Sequence, residues 1–396
     1  MLIVSGYGII TSLGQGKESN FKKLANEQHG LSSIELIDTL HAKTFPFGEV
    51  KLDNQALHAQ LDKSPKEGFT RTTLLGMHAL QEAWIQAQIP KNHAFRIGLF
   101  NATTVGGMCE VEKYYYQVLE NKGDYRSYAD TIDCADCTHR LADHFGIKHF
   151  VTTISTACSS SANAIMLGAR MLQQGMIDMA ICGGTDALTR FTINGFNSLK
   201  NIDRQHCRPF DADRNGLNLG EGAAYIIMEN EAQGLKRGIS PLATLSGYGN
   251  YNEAFHPTAP NPAGEGAFHV MELSLKKAGL KAADISYINA HGTATLTNDE
   301  SESNAMKRLF KQLPPFSSTK CYTGHTLAAA GAVEACYSMM ALEEKSVFGN
   351  LNFNIAMPDS ALIPQLKFEA LPEIKHVMSN SFAFGGNNAS LIFSTY

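Results

Sequence analysis

With 396 residues, 44% of them hydrophobic and 18% charged, the chain is long enough for about two to three domain-sized units around a large core. A net charge of −5 and a pI near 6.3 exclude the dense basic face of a nucleic-acid binder, so an acidic partner would have to be met by a local basic patch. Eight cysteines are scattered at 109, 134, 137, 158, 182, 207, 321 and 336. With no secretory signal and no apolar run near the ~18 residues of a membrane span, they predict a soluble cytoplasmic protein without a disulfide framework.

In chain order, Met1 to Ile10 reads as a first strand, followed by a helix over 18–27 and a loop-rich stretch to Val50. Leu74, Leu75, Ala79, Leu80 and Ala83 recur at helical spacing within 66–88, and Ile89-Pro90 stops the helix. A strand over 96–101, helices over 108–119 and 133–145 and a strand ending at Ile154 follow. Beyond the strand at 177–186 and the turn-rich loop at 208–222, the alternation resumes with strands near 223–228, 243–248, 285–289, 317 and 389–394. Helices are predicted over 267–278, 299–310 and 327–343. Strands alternating with helices mean an α/β protein with mainly parallel sheets. Two successive halves carry the alternation, which suggests an internal duplication, although no residue-level repeat is evident. No flexible linker separates the halves.

The stretch that organises the chain is Val151-Thr-Thr-Ile-Ser-Thr-Ala-Cys-Ser-Ser-Ser-Ala. A β-branched run ends at Ile154, and from Ser159 apolar residues return at Ala162, Ile165, Met166, Ala169 and Leu172, the spacing of one helical face. Cys158 thus stands where a strand turns into a helix. The positive end of that helix would favour a thiolate, and so a nucleophile that can hold an acyl group. A small buried core cysteine fits the same pattern, so context must decide. Three further strand-end segments, Asn289-Ala-His-Gly-Thr-Ala-Thr, Ser318-Thr-Lys-Cys-Tyr-Thr-Gly-His and Asn380-Ser-Phe-Ala-Phe-Gly-Gly, are rich in glycine and polar residues. In a parallel α/β sheet the carboxyl ends of strands share one rim, which would bring His291 and His325 toward Cys158.

These motifs, in this order and over the whole length, resemble the β-ketoacyl-[acyl carrier protein] synthases, condensing enzymes of fatty-acid and polyketide synthesis, and most of all their elongating synthase II type. Arg208-Pro-Phe-Asp-Ala-Asp-Arg-Asn-Gly and Leu219-Gly-Glu-Gly belong to the same resemblance. It implies a thiolase-like duplicated five-layered αβαβα fold that dimerises. The nucleophilic cysteine falls in the half spanning 1–242 and the two histidines in the half spanning 243–396. It further implies that Cys158 takes an acyl chain from a carrier-protein thioester, with His291 and His325 as N–H donors to the enolate formed when malonyl thioester loses CO2. Lys320 is the matching lysine, expected to pair with Glu334. The backbone N–H groups of Cys158 and Phe384 make the oxyanion site, and Phe384 also serves as a gate. Thr293 and Thr295 bind the phosphopantetheine arm. That arm arrives on the carrier-protein substrate, so no cofactor and no metal are implied.

The chain departs from the family pattern in Ser159-Ser160-Ser161, in Thr295-Leu-Thr-Asn-Asp, in Asn387-Asn388 where a threonine usually leads, and in a short segment over 108–130 with Tyr114-Tyr-Tyr. These leave the reaction intact and bear on the acyl substrate; specialised systems such as those making aryl polyenes use synthases of this look. Rival readings are a thiolase, which would carry a second catalytic cysteine where this chain has Phe384-Gly-Gly-Asn, and a non-catalytic chain-length subunit of a heterodimer, which would usually lack the nucleophile. A metal site at Cys134, Cys137, His139 and His144 rests on one Cys-x-x-Cys pair, and helical core packing explains it better. Lys63, Lys66, Arg71, Lys200 and Arg204 are candidate contacts for an acidic carrier protein, and both a homodimer and a heterodimer with a paralogue fit the sequence.

Overall fold

The computed structural model describes residues 1–61, 68–90, 94–120 and 126–396. Each half of the chain lays down five principal strands. The first five are β1 (Leu2–Thr11), β2 (Ile97–Ala102), β3 (Phe150–Ile154), β4 (Met179–Asp186) and β5 (Gly222–Asn230). The second five are β6 (Ala243–Asn252), β7 (Tyr287–Asn289), β8 (Phe316–Ser317), β9 (His376–Phe382) and β10 (Asn387–Ser394). They join in the order β3-β2-β4-β5-β1-β6-β10-β9-β7-β8. Counted outward from the β1/β6 seam, both halves run first, fifth, fourth, second, third. The seam itself is short, pairing only Ile3 with Thr244 and Val4 with Ala243, so the two halves can turn face to face.

The expectation of mainly parallel sheets holds only for the outer three strands of each half. β3, β2 and β4 run parallel, as do β8, β7 and β9. The pairings β4/β5, β5/β1, β1/β6, β6/β10 and β10/β9 are antiparallel. For β9 and β10 the reason is local: only residues 383–386 connect them, and so short a link can join strands only as a hairpin.

Helices Ser160–Gln173 and Ala330–Glu343 fill the space between the two halves, the first against β4 and β2 and the second against β5 and β9. Ala330–Glu343 is buried along all but its last residue, as a helix sandwiched on every side must be. Arg71–Gln86 covers the outer face of β1 and β5, and Glu265–Ala278 covers the outer face of β6 and β10. The result is the five-layered αβαβα arrangement of the thiolase-like fold.

The duplication is also written in the residues, which corrects the expectation that no repeat can be read. Ser5-Gly6-Tyr7-Gly8 in β1 matches Ser246-Gly247-Tyr248-Gly249 in β6. A Cβ on Gly6 would stand 2.5 Å from the Ala83 carbonyl oxygen, and one on Gly247 2.3 Å from that of Ser274. In both halves the missing side chain lets the outer helix lie directly on the first strand.

One helix starts later than the sequence reading placed it, and another was not read at all. The helix expected from 66 begins at Arg71, because the Thr70 side chain caps it by accepting the Thr73 N–H. Arg190–Ser198 is a helix that its Asn, Gly, Thr and Ser content conceals. None of the described helices is long and apolar enough to cross a membrane.

Candidate active site

β3 ends at Ile154 and the next helix begins at Ser160 with Ser159 at its cap, so Cys158 lies in the intervening turn. Ala157 takes the left-handed conformation at φ 51°, which aims the next residue back across the strand ends. The Ser160 hydroxyl fixes this turn by accepting the Thr156 N–H at 2.8 Å and donating to the Ala157 carbonyl at 2.6 Å. The Ser161 hydroxyl accepts the Ala332 N–H at 2.9 Å and so ties the two central helices together. The unusual serine run thus has structural work in the turn and the core.

Cys158 is only 7% exposed. Burial pushes its thiol up to about 11, opposed by the Lys320 charge and by the backbone N–H groups of Phe384 and Cys158 itself. The sequence-based expectation of a depressed thiol is therefore corrected: desolvation outweighs the helix end. The N–H groups that oppose the rise belong to Cys158 and Phe384, the residues expected to form the oxyanion site.

β7 and β8 deliver the histidines. His291 follows Asn289 at the end of β7, and His325 follows the short helix Lys320–Thr323 after β8. The Cys158 sulfur and one ring nitrogen from each histidine all lie within 4.8 Å of one another. The two imidazoles meet edge to face with centroids 5.5 Å apart. Nδ1 of His325 accepts the Leu327 N–H at 3.2 Å, which places its proton on Nε2. That Nε2 is buried without a partner among the described residues. Nδ1 of His291 faces Lys320 Nζ at 3.2 Å, and an ammonium there can only donate, so the proton of this ring too is assigned to Nε2. Burial first, then the Lys320 charge, holds both imidazoles well below the usual histidine range, and they are neutral near pH 7.

Lys320 also donates to the His291 carbonyl at 2.7 Å and forms a close ion pair with Glu334, both partners almost wholly buried. Burial raises the Glu334 carboxyl to about 7, against the pull of Lys320. With N–H groups rather than lone pairs offered by the rings and a cation behind them, the cluster suits an oxygen that gains negative charge better than a metal ion.

A pocket opens onto these groups and is lined by Cys158, His291, His325, Thr293, Thr295 and Phe384. The hydroxyls of Thr293 and Thr295 are 2.8 Å apart. The Phe384 ring stacks on Phe196 with centroids 5.8 Å apart, so the concealed Arg190–Ser198 helix supplies the partner of the ring expected to gate the pocket. Every candidate catalytic residue read from the sequence is therefore gathered at this one pocket or immediately behind it.

Two buried carboxylates were not foreseen. Glu302 accepts the His291 and Gly292 N–H groups at 2.9 and 2.8 Å and the Asn380 amide at 3.2 Å, and burial raises it to about 7. Asp186 accepts from Thr103, Thr104 and the Ala328 N–H, holding the turn that follows His325. An acidic residue at the end of β4 was the available signal for Asp186; Glu302 sits inside a helix, where a carboxylate reads as solvated.

Arg71 is not a docking residue. It is 4% exposed, donates to Glu221 at 2.9 Å and to the Val50 carbonyl at 2.7 Å, and anchors a buried network. Lys63 and Lys66 lie outside the described residues. Lys200 and Arg204 are exposed and share a surface hollow with Arg208. Cys137 is buried against the Asn101 amide. Among the described residues, the Cys134, Cys137, His139 and His144 segment forms no metal-ligating cluster.

Comparison with known proteins agrees with this geometry. Residues 2–234 match the family model for the beta-ketoacyl synthase N-terminal domain and residues 242–354 that for the C-terminal domain. The chain is 31% identical over 415 residues to 3-oxoacyl-[acyl-carrier-protein] synthase 2 of Staphylococcus aureus (strain COL), covering all of this chain and 98% of that protein. Among solved structures, the ishigamide ketosynthase/chain length factor superimposes with a TM-score of 0.93 at 28% identity, covering 100% of this chain and 99% of that one. A ketosynthase in complex with its chain length factor from Xenorhabdus doucetiae gives 0.84 at 32% identity, covering 100% and 98%. The matched family models, the named relative and the thiolase-like fold together define a condensing acyltransferase. The chain belongs to the beta-ketoacyl synthase family.

Proposed function

We propose that the protein catalyses the decarboxylative Claisen condensation of an acyl group held on Cys158 with malonyl-[acyl carrier protein], yielding β-ketoacyl-[acyl carrier protein] and CO2. The observation that carries this reading is the convergence of one thiol and two imidazole rings within 4.8 Å, with the buried Nε2 of His325 left for an incoming oxygen.

In the first half-reaction the Cys158 sulfur attacks the acyl thioester carbonyl. The N–H groups of Cys158 and Phe384 take the negative charge on oxygen, and the carrier thiol leaves with the proton. In the second, the malonyl C–C bond breaks and CO2 departs. The electron pair becomes an enolate whose oxygen sits between the Nε2–H groups of His291 and His325. The enolate carbon then attacks the acyl carbon, the C–S bond to Cys158 breaks, and the sulfur leaves as a thiolate that takes a proton from solvent to restore the thiol. Lys320, paired with Glu334, holds the His291 tautomer. Thr293 and Thr295 bind the phosphopantetheine arm, which the carrier protein brings with it, so the reaction calls for no resident cofactor.

In this reading residues 1–242 supply the nucleophile and residues 243–396 the histidines. The carrier protein docks by charge at Lys200 and Arg204 in place of Arg71. The protein works in the cytoplasm as a dimer, with itself or with a paralogue, in elongation of fatty acyl or polyketide chains, the aryl-polyene type included. Because the nucleophile and both donors are present, the enzyme is preferred to a non-catalytic chain-length subunit. Intact-protein mass spectrometry after incubation with saturated, polyunsaturated and aryl-capped acyl-carrier thioesters tests this. Adducts are expected on the wild type and not on Cys158→Ala, with the best donor identifying the chain. Absence of any adduct, alone or with a paralogue present, would overturn the proposal.

A further inference from the structure

The hairpin that carries Phe384 and the turn that carries Cys158 are joined by an amide cluster whose centre is a residue at which this chain departs from its family. Asn387 opens β10 directly after the Phe384–Gly386 turn. Its Oδ1 accepts the Asn163 amide at 2.8 Å and the Asn250 amide at 3.0 Å, and the Ser159 hydroxyl approaches the same atom at 2.8 Å. Asn250 also donates to Asn163 Oδ1 at 2.8 Å, and Asn163 to the Thr156 hydroxyl at 2.9 Å. One oxygen therefore ties β10 to β6 and to both sides of Cys158, through Thr156 before it and Ser159 after it. Flipped by itself, the Asn387 amide would turn an N–H toward the donors of Asn163 and Asn250, so the oxygen is assigned to this position. A threonine would set its oxygen one bond nearer the main chain, away from the three donors.

Around the turn itself the Gly385 N–H donates to the Pro257 carbonyl and the Glu253 N–H to the Gly386 carbonyl, while the backbone ladders to β6 and β9 start only at Asn387 and Asn388. Gly385 and Gly386 both have positive φ, at 81° and 79°, so the turn beside Phe384 has backbone freedom that side-chain anchoring must restrain.

We infer that Asn387 is a positioning residue for acyl transfer, its side-chain oxygen holding the hairpin that carries the Phe384 N–H in register with the Cys158 turn. The inference rests on the acyl-transfer role proposed for Cys158. It separates the two half-reactions, because the oxyanion site for acylation includes Phe384 whereas the enolate site consists of the two histidines.

The test uses the full chain with Asn387→Ala and follows two rates: adduct formation on Cys158 from an acyl-carrier thioester, and CO2 release from malonyl-carrier thioester supplied alone. Moving one oxyanion donor without deleting it should slow acylation about tenfold or more while CO2 release stays within about twofold of wild type. Asn163→Ala, which removes one donor to the same oxygen, should give the same split in smaller measure, and carries the test if Asn387→Ala fails to fold. Equal losses in both rates, unchanged acylation, or a loss confined to CO2 release would overturn the inference. A wild-type protein that releases CO2 yet forms no adduct would instead overturn the acyl-transfer reading on which it stands.

Discussion

The Lys320 ammonium lies 3.2 Å from Nδ1 of His291 and 2.7 Å from the carbonyl oxygen of the same residue. One cation thereby fixes both the main-chain position and the tautomer of a candidate catalytic ring, and among the described residues its charge is paired with Glu334. Lys320→Met should leave Glu334 buried and unpaired and lower unfolding stability by about 3 kcal/mol or more. The double variant Lys320→Met/Glu334→Leu removes both charges and should regain most of that loss. Urea unfolding measures the first effect. Condensation activity should stay low in both variants, because the tautomer of His291 is released in each.

The thiol of Cys158, pushed up to about 11, should be almost fully protonated at neutral pH. Its alkylation by iodoacetamide is then expected to rise about tenfold per pH unit between pH 7 and 9, since the thiolate is the reactive form. Lys320 is the largest of the effects that lower this value, so Lys320→Met should slow alkylation at every pH in that window. A plateau near pH 7 would show a depressed thiol and contradict the burial argument.

The proposed roles of the Phe384 main chain and ring can be separated by substitution. Phe384→Pro deletes the N–H beside Cys158 and should reduce acylation by about 10² to 10³. Phe384→Ala keeps the N–H, loses only the stack on Phe196, and should remain within about tenfold of wild type on the same scale. Single-turnover acylation followed by mass spectrometry distinguishes them.

Arg71 and Arg204, both offered by the sequence as carrier contacts, should respond differently to charge reversal. Arg71→Glu sets a second carboxylate against Glu221 in a buried network and is expected to prevent folding or to cost about 3 to 5 kcal/mol. Lys200→Glu/Arg204→Glu alters exposed side chains. It should leave stability unchanged while raising KM for a carrier-protein thioester and not for a small pantetheine thioester, most clearly at low salt.

Much of this was legible in the sequence because the decisive signals are local. The β-branched run ending at Ile154, the serine-rich turn and the helical spacing from Ala162 place Cys158 at a strand-to-helix turn without any long-range information. The glycine-interrupted strand ends at His291, His325 and Phe384 likewise declare themselves, and strand-end loops in parallel segments share a rim. Even the duplication stood in plain sight as Ser-Gly-Tyr-Gly at 5–8 and 246–249, a four-residue match too short to be found by looking for periodicity.

What the tertiary structure alone decided is where each charge and each amide ended up relative to water. Arg71, at the start of an amphipathic helix, looks solvated until Glu221, 150 residues away, meets it in the interior. Glu302 has the sequence surroundings of a surface carboxylate and becomes the acceptor for the His291 turn. The acidity of Cys158 depends on a balance between desolvation and contacts from Lys320 and Phe384, which come from the other half of the chain. The helix-end effect could be read locally; the burial that overcomes it could not, because it is created only when the two duplicated halves close on their shared central helices.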